Sequence, residues 1–311
     1  MRAIRVHEFG APDVMRLEDV PPPTAGAGQV LVRIEAAGVN PVETYVRAGI
    51  YSELPALPYT PGADGAGVRA DTNQRVYVAG SVSGTYAEVA VCRADQVHAL
   101  PAELTYAQGA ALGTPYVAAY RALFQRAQAS PGQRALIHGA SGGVGLAAVQ
   151  LAVAAGIHVT ATAGSAAGRL LAAAQGAEIV LDHHDAAHLT AAVAHTSGRG
   201  FDVILEILAS TNLGQDLRAL AARGTVVVVG SRGLVEVDPR DLMNADGAIL
   251  GMRLPNATGD ELAAAHRAIG RGLRDGTLRP VIEAELPLAD APQAHRALMD
   301  GPALGKLVLR P

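Results

Sequence analysis

The sequence has 311 residues, half of them apolar, a formal net charge of −4 and a pI of about 6.2. Its length corresponds to about two domains. The charge argues against a nucleic-acid or membrane-surface protein, and no uninterrupted apolar segment reaches the roughly 20 residues of a membrane helix. The N-terminus lacks the apolar core of a signal peptide, and the only cysteine, Cys92, excludes an internal disulfide, so we expect a cytoplasmic protein.

Residues 1–114 contain short alternating stretches separated by turns. Residues 29–36 alternate between apolar and polar side chains with a period of two, and residues 75–78 and 86–91 follow the same pattern. The proline run at residues 21–23 predicts a surface loop. These features predict a compact, mostly antiparallel β-domain.

The pattern changes near residue 115, where helical periodicity alternates with short apolar runs. The runs lie at residues 135–138, 158–163, 179–181, 203–207 and 226–229. Strands that alternate with helices predict an α/β architecture, in which crossover helices connect a parallel sheet. A further apolar run at residues 248–252 predicts an edge strand. The pieces after residue 257 are expected to pack back on the first domain.

The segment 135–148 is the most informative part of the sequence. An apolar strand leads into a glycine cluster, in which Gly139, Gly142 and Gly145 are spaced by three, and the cluster opens an Ala-rich helix. Glycine lets the backbone approach a pyrophosphate, and the helix N-terminus offers free N–H groups to it. The segment therefore predicts a dinucleotide-binding loop. The alternative is a glycine-rich turn with no ligand.

The residues after the second strand of this domain indicate which dinucleotide is bound. A site for NAD usually places Asp or Glu there, where the carboxylate bonds the ribose 2′-hydroxyl. Residues 160–169 contain no acidic residue. The small residues Gly164 and Ser165, with Arg169 nearby, would accept a 2′-phosphate, so we predict NADPH. The alternative is that this stretch is an apolar interior whose lack of charge has nothing to do with a ligand.

Five blocks of the sequence together carry a family resemblance, and they are residues 2–6, 38–45, 57–62, 138–146 and 229–233. They resemble the zeta-crystallin-like quinone oxidoreductases, which are zinc-free, NADPH-dependent members of the medium-chain dehydrogenase/reductase superfamily. The resemblance runs nearly end to end. The loop between residues 68 and 76 is several residues shorter than is usual in the family, so contacts made by that loop are not carried over.

The resemblance implies a GroES-like, mostly antiparallel β-domain over residues 1–114 and a doubly wound Rossmann domain over 115–256. Residues 257–311 would return to the first domain, and the active site would lie in the cleft between the two domains. Tyr45 is expected near the nicotinamide. Gly164 and His183 are expected at the adenosine phosphate end. The other expected cofactor contacts are Ser141, Gly142, Gly143, Val144, Asn212, Val229, Gly230, Ser231, Arg232, Met252, Arg253 and Leu254.

The zinc alcohol dehydrogenases share this architecture and are the main enzymatic alternative. Catalytic zinc needs three protein ligands, typically including thiolate and imidazole. Asn40 occupies the position of their first Cys ligand, and residues 62–64 read Gly-Ala-Asp in place of Gly-His-Glu. Residues 182–185 and His188 form another cluster of possible ligands, but a strand exit followed by a polar helix start explains it. We therefore predict no zinc and no other metal.

A quinone is already a strong electron acceptor, so its reduction does not require a metal. The protein needs to hold the nicotinamide against the quinone ring and to donate hydrogen bonds to the developing oxyanion. Asn40, Tyr45 and Tyr51 are the candidate donors, because they offer an amide and two hydroxyl groups. The alternative is that Asn40 only ties the turn before Pro41 and that Tyr51 only packs.

The predicted function is thus NADPH-dependent reduction of a small-molecule quinone. A reductase of activated C=C bonds, in enones or acyl thioesters, would use the same hydride geometry. A nucleotide-loaded structural or RNA-binding protein is an alternative from another class. RNA binding would need a basic patch with exposed aromatics, whereas aromatic residues make up 4 % of this acidic chain. The apolar run at residues 248–254 suits edge-to-edge pairing, so we expect a homodimer or a homotetramer.

Overall fold

The computed structural model describes residues 1–311 and divides them into two compact units. The first unit consists of Met1–Thr114 and Pro280–Pro311, and the second of Pro115–Arg279. The strands are β1 (Arg2–Val6), β2 (Met15–Asp19), β3 (Gln29–Gly38), β4 (Asp64–Arg69), β5 (Arg75–Ala79), β6 (Val89–Arg93), β7 (Val97–Ala99), β8 (Arg134–Ile137), β9 (His158–Thr162), β10 (Ile179–Leu181), β11 (Phe201–Glu206), β12 (Leu220–Val228), β13 (Ala248–Gly251), β14 (Ile282–Pro287) and β15 (Lys306–Arg310). The α-helices are α1 (Pro41–Arg47), α2 (Tyr106–Ala110), α3 (Gly113–Tyr120), α4 (Gly143–Ala154), α5 (Ala166–Ala174), α6 (His188–His195), α7 (Ala209–Asp216), α8 (Pro239–Asn244), α9 (Gly259–Asp275) and α10 (Ala291–Asp300).

A seven-stranded sheet forms the body of the first unit. Its order is β14-β15-β3-β4-β5-β7, and β6 also pairs with β3. All of these pairs are antiparallel except β14 with β15. Buried residues alternate along most of β3, as its period-two sequence predicted. The mostly antiparallel domain expected from the sequence is therefore confirmed.

The core of the first unit depends on close packing of small and branched side chains. Val32, Val78 and Leu309 are fully buried, and they share one cluster with the ring of Tyr86. Two alanines of α10, Ala291 and Ala294, belong to the same cluster. The late segment of the chain thus contributes both a strand and a helix to this core.

The second unit contains six parallel strands in the order β10-β9-β8-β11-β12-β13. The chain moves outward from β8 to β10 and then returns to the other side of β8 to form β11. The sheet is therefore doubly wound, as expected, and its strand order reverses between β8 and β11. Open α/β sheets bind ligands beside the carboxyl ends of the strands at such a reversal.

The chain returns to the first unit at Pro280 and not at residue 257, as the sequence had suggested. The reason is that α9 packs within the second unit through its apolar face, which buries Ala265, Ile269 and Leu273. Its first turn is also held there by an ion pair of 2.6 Å between Arg121 Nη1 and Glu261 Oε1. None of the helices combines the length and apolarity that crossing a bilayer would require.

Candidate cofactor and substrate sites

The glycine cluster lies between β8 and the N-terminus of α4. Gly142 precedes this helix in an extended conformation, and no side chain caps the first turn. Gly139 has a φ of +58°, in the left-handed region that favours glycine. A Cβ on Gly145 would lie 2.3 Å from the Gly139 carbonyl oxygen, so the helix can approach the loop only with glycine there. The uncapped N–H groups and the tight turn fit a pyrophosphate.

The connections that follow β8, β9 and β10 lie side by side. The Ala140 N–H donates to the Thr162 carbonyl at 2.8 Å, and the Ala163 N–H donates to the Leu181 carbonyl at 3.0 Å. Gly164 and the segment after Leu181 therefore lie at the carboxyl-terminal end of the sheet, as the glycine loop does. The strand order reverses beside that loop, between β8 and β11.

Four residues predicted for the adenosine phosphate end come together at this end of the sheet. Ser165 caps the first turn of α5 through its hydroxyl group. Arg169 Nη1 donates to the Gly164 carbonyl at 3.5 Å and forms an ion pair of 2.7 Å with Asp182. The Nε2 atom of His183 lies 2.6 Å from the position that a Cβ of Gly164 would take. The ion pair between Arg169 and Asp182 was not predicted from the sequence, because the two residues are 13 positions apart.

The remaining predicted cofactor contacts follow β11, β12 and β13. Asn212 Nδ2 donates to Glu206 Oε1 at 3.3 Å, and the Val229 N–H donates to the Glu206 carbonyl at 2.8 Å. The Arg232 N–H donates to the Ser210 hydroxyl at 3.3 Å, and the Met252 N–H to the Val228 carbonyl at 2.9 Å. The other residues of this set lie beside these in the chain and are Gly230, Ser231, Arg253 and Leu254.

Glu206 bonds to the two stretches that follow β11 and β12, although it was not predicted from the sequence. It is the last residue of β11, and its carboxylate accepts from the Leu208 N–H as well as from Asn212. Its backbone carbonyl accepts from Val229. An acidic residue that ends a buried apolar strand was the available signal, since such a group must find partners.

A buried polar cluster lies directly before the glycine loop. His138 Nε2 lies 2.9 Å from Asp216 Oδ1 and 3.7 Å from Glu206 Oε2, and His138 Nδ1 lies 3.2 Å from the Thr162 hydroxyl. Burial raises the pKa of both carboxyl groups to about 7 and lowers the pKa of the imidazole. Glu206 Oε2 and Asp216 Oδ2 have no protein donor.

In the first unit, Asn40 is buried and is the N-cap residue of α1. Its Nδ2 atom donates to Asp64 Oδ2 at 2.9 Å and to Glu43 Oε1 at 3.2 Å, and its Oδ1 atom accepts from Lys306 Nζ. Both amide hydrogens are thus bonded within the protein. The predicted role of Asn40 as a donor to the substrate would require one of these bonds to break.

The groups around Asn40 form a buried charge cluster of Glu43, Asp64 and Lys306. Tyr86 donates its hydroxyl hydrogen to Glu43 at 2.9 Å, and Thr114 donates both its N–H and its hydroxyl to Asp64 at 2.9 Å. Burial raises the pKa of both carboxyl groups, although the Lys306 ammonium opposes the shift. Burial also lowers the pKa of Lys306. This lysine was not predicted from the sequence, where its only signal is one cation at the start of an apolar strand.

Tyr45 and Tyr51 lie close to Asn40 in the chain, on α1 and in the loop that follows it. Both side chains are partly exposed. The Ile50 N–H donates to the Tyr45 carbonyl at 3.1 Å, which ties the beginning of the loop to the helix. The three predicted substrate-side residues therefore share one short helix and its exit, with Asn40 inside and the tyrosines partly outside.

The positions that correspond to zinc ligands hold residues with other bonds. Asn40 is fully bonded, as described, and the Ala63 N–H donates to Glu43 Oε1 at 3.0 Å. Cys92 is buried on β6, where burial raises the pKa of its thiol to about 11. A thiol of this kind is inert and serves packing.

Comparison with known proteins covers almost the whole chain. Residues 26–102 match the alcohol dehydrogenase GroES-like domain, and residues 143–269 match the zinc-binding dehydrogenase family. The chain is 44 % identical over 320 residues to a quinone oxidoreductase from Rattus norvegicus, in an alignment that covers 99 % of this chain and 97 % of the relative.

Two solved structures show the same agreement in three dimensions. The quinone oxidoreductase from Thermus thermophilus, which was also solved in complex with NADPH, is 32 % identical and superimposes with a TM-score of 0.90 over 100 % of both chains. The Escherichia coli quinone oxidoreductase complexed with NADPH is 27 % identical, with a TM-score of 0.90 over 100 % of both chains.

Proposed function

Because this chain belongs to the zeta-crystallin-like quinone oxidoreductases of the medium-chain dehydrogenase/reductase superfamily, we propose that it reduces quinones with NADPH and without zinc. The observation that carries the proposal is the nearly end-to-end alignment with a quinone oxidoreductase at 44 % identity. The tight glycine turn before an uncapped helix supports it, since that turn fits a dinucleotide.

The cofactor would be held at the carboxyl-terminal ends of the strands in the second unit. The uncapped N–H groups of Gly143 and Val144 would bind the pyrophosphate, and the adenosine end would lie at Gly164. Asn212, the stretch 229–232 and the stretch 252–254 would line the rest, and Tyr45 would lie near the nicotinamide. When bound, the reduced nicotinamide supplies a hydride to the quinone.

On the substrate side, Tyr45 and Tyr51 are the proposed hydrogen-bond donors to the quinone oxygen that gains charge. Their flat rings also suit a planar substrate. Asn40 is proposed as a positioning residue, because its amide is bonded to Asp64, Glu43 and Lys306. It would fix the start of α1 and so the place of Tyr45 on that helix.

The charge cluster supports zinc-independent chemistry. Zinc would need thiolate or imidazole where Asn40 and Ala63 stand, and the Lys306 ammonium in contact with Asn40 would repel a metal cation. A quinone accepts a hydride without a Lewis acid, whereas an unactivated ketone does not accept one readily. Activated C=C bonds remain a second candidate substrate class, because the same hydride geometry reduces them.

We further propose that the protein is cytoplasmic and forms a homodimer, or a homotetramer, through β13. This strand lies at the edge of the six-stranded sheet. Its sequence, Ala-Ile-Leu-Gly, contains no charge or proline that would prevent pairing with a second copy.

An NADPH-oxidation assay over a panel of quinones, enones and alcohols, with and without chelator, tests the proposed function. We expect quinones to be reduced with the highest kcat/KM and the chelator to have no effect. Faster turnover of enones would identify the second candidate class. Loss of activity with chelator would contradict the zinc-independent site, and failure to bind either nicotinamide coenzyme would contradict the function as a whole.

A further inference from the structure

Two buried carboxyl groups, those of Glu206 and Asp216, lie against each other inside the second unit. Glu206 ends β11 and Asp216 ends α7, and their side chains hydrogen-bond each other. Neither carboxyl group contacts a lysine or an arginine. Two ionised carboxylates would repel each other strongly in such a place, because little solvent screens them. The pair therefore holds a proton.

One proton between the two carboxyl groups completes the hydrogen bonds of the cluster. The Thr162 hydroxyl donates to His138 Nδ1 at 3.2 Å, and the Nε2–H of the neutral imidazole donates to Asp216 Oδ1 at 2.9 Å. A proton on Asp216 Oδ2 then donates to Glu206 Oε2, and these are the two oxygens that no other protein group supplies with a donor. Buried polar networks are stable when every member has a partner, so this proton belongs to the folded arrangement.

Glu206 also ties together the two stretches of chain that follow β11 and β12. Its Oε1 atom accepts from the Leu208 N–H and, at 3.3 Å, from Asn212 Nδ2. Its backbone carbonyl accepts from the Val229 N–H at 2.8 Å and from the Gly230 N–H at 3.4 Å. A displacement of this residue would therefore move both stretches.

We propose that Glu206 is a positioning residue for the coenzyme, and that the proton which it shares with Asp216 keeps the stretches 207–212 and 229–230 in the arrangement that binds a nicotinamide dinucleotide. The proposal rests on the proposed function, which takes Asn212 and the stretch from Val229 to line the coenzyme. When the proton is lost, the two buried anions repel each other, and Glu206 draws both stretches out of place. The effect does not involve the 2′-phosphate, so NADPH and NADH should respond alike.

The groups around the pair set the direction of the pH dependence. Burial raises the pKa of both carboxyl groups and lowers the pKa of His138, so the imidazole stays neutral while the pair titrates. The other titratable groups near the cluster are His188 on α6, whose ring meets that of His138 edge to face, and His183 after β10. The form that binds coenzyme carries the proton, so binding takes up a proton once pH exceeds the pKa of the pair. Affinity must therefore fall as pH rises.

Equilibrium binding of NADPH and NADH to the intact protein between pH 6.5 and 9.0 tests the proposal. We expect the affinity for both coenzymes to fall at alkaline pH, by up to about tenfold per pH unit for one linked proton. Calorimetry in buffers of different ionisation enthalpy should show proton uptake with both coenzymes at pH 8.5. An NADH affinity that stays constant over this range would overturn the proposal.

Steady-state kinetics supply a second readout. Because Glu206 acts through the segments that hold the coenzyme, KM for NADPH should rise with pH while kcat at saturating NADPH changes little. A fall in kcat with an unchanged KM would contradict a positioning role.

Two amide variants keep the network but remove its proton. In Asp216→Asn the amide donates to Glu206 Oε2 and still accepts from His138, and in Glu206→Gln the amide donates to Asp216. Each variant should bind both coenzymes at pH 6.5 about as tightly as the unmodified protein and should lose the alkaline fall. Glu206→Ala removes the contacts themselves and should weaken both coenzymes by at least about tenfold at every pH. If both amide variants keep the original pH profile, the proposal is wrong.

Glu178→Gln is the matched control. This carboxylate is exposed and is paired with His158 at 2.7 Å. Its replacement should leave the affinity and the pH profile of both coenzymes unchanged, and a flattened profile in this variant would overturn the assignment to the buried pair. Stoichiometric zinc or manganese that disappears in Asp216→Asn would also overturn it, by assigning the two oxygens to a metal ion.

The absolute affinities separate failure of this proposal from failure of the proposed function. If NADPH and NADH bind and support quinone reduction with affinities that do not depend on pH, only the role of the shared proton fails. If neither coenzyme binds at any pH, the proposed function fails, and this proposal fails with it.

Discussion

Tyr45 lies on α1 five positions after Asn40, and its side chain is partly exposed while Asn40 is buried. We expect Tyr45→Phe to lower kcat/KM for quinones by about 10²-fold, because a donor aimed at developing charge contributes on the order of 3 kcal/mol. Tyr106→Phe is the control, since its ring would still lie under Arg75. Steady-state kinetics and NADPH binding measure the effect. Unchanged kinetics in Tyr45→Phe would remove this tyrosine from the site.

Lys306 is the only cation bonded to the buried cluster around Asn40. We expect Lys306→Met to lower the free energy of unfolding by about 3–5 kcal/mol, because two buried carboxylates lose their counter-charge. Urea denaturation gives the value. Adding Asp64→Asn to Lys306→Met should restore part of the loss, since it removes one of the two negative charges. A loss of less than about 1 kcal/mol in Lys306→Met would mean that the ammonium does not stabilise the cluster.

Single residues show where sequence-based prediction ends. Residue type selected Asn40 as a candidate donor, but type alone does not show that its amide is already bonded. The same limit applies to Arg169, whose carboxylate partner is distant in sequence. Whether a polar group already has a hydrogen-bond or ion-pair partner depends on tertiary contacts, and no local pattern in the sequence encodes them.

At the scale of elements, α4 and its glycine turn should respond sharply to one added methyl group. We expect Gly145→Ala to weaken coenzyme binding by at least about tenfold, because its Cβ would lie 2.3 Å from the Gly139 carbonyl oxygen and would push the helix from the loop. Gly259→Ala, in the first turn of α9, is the matched control with open space around its Cβ. Equal binding in both variants would contradict the close approach.

Element existence was largely predictable, whereas element placement was not. The strands of the second unit are short, mostly apolar runs that alternate with helical patterns, so their pattern predicted a parallel sheet. The alternation along β3 predicted an antiparallel one. The amphipathic pattern of α9 shows that it packs on something, but it does not show on which unit. Its assignment to the returning segment was therefore wrong.

At the scale of the whole molecule, the carboxyl groups of Glu206 and Asp216 make stability depend on pH. Burial raises both pKa values to about 7, above those of the unfolded chain. Such groups stabilise the fold fully below their unfolded pKa of about 4, and this contribution is lost as pH rises through about 7. We therefore expect the contribution of these two groups to the unfolding free energy to decrease from pH 5.5 to 8.5. Urea denaturation across this range measures the decrease.

Asp216→Asn tests the origin of that pH dependence. An amide keeps an acceptor for His138 and cannot ionise, so the slope between pH 5.5 and 8.5 should become shallower. Glu178→Gln, at an exposed site paired with His158, should leave the slope unchanged. A slope that is the same in Asp216→Asn would assign the effect to other groups.

The edge strand β13 of the six-stranded sheet is the proposed assembly interface. We expect light scattering to show a dimer or tetramer at micromolar concentration, and Ile249→Lys to yield a monomer, because a charge on an edge strand opposes pairing. Val82→Lys, which alters an exposed apolar residue of the first unit, should leave the oligomer intact. A monomeric unmodified protein would contradict the proposed interface.

The path of the chain has a consequence for biosynthesis. β3 forms early in translation, but its sheet neighbour β15 begins only at Lys306, after the second unit has been made. Pro115–Arg279 can therefore fold while the ribosome still holds the rest, whereas the first unit must wait with Ala37 and Gly38 of β3 unpaired on one side and Asn40 without its ammonium partner. Stalling translation just before residue 306 should leave a protease-resistant second unit beside a first unit that is still cleaved.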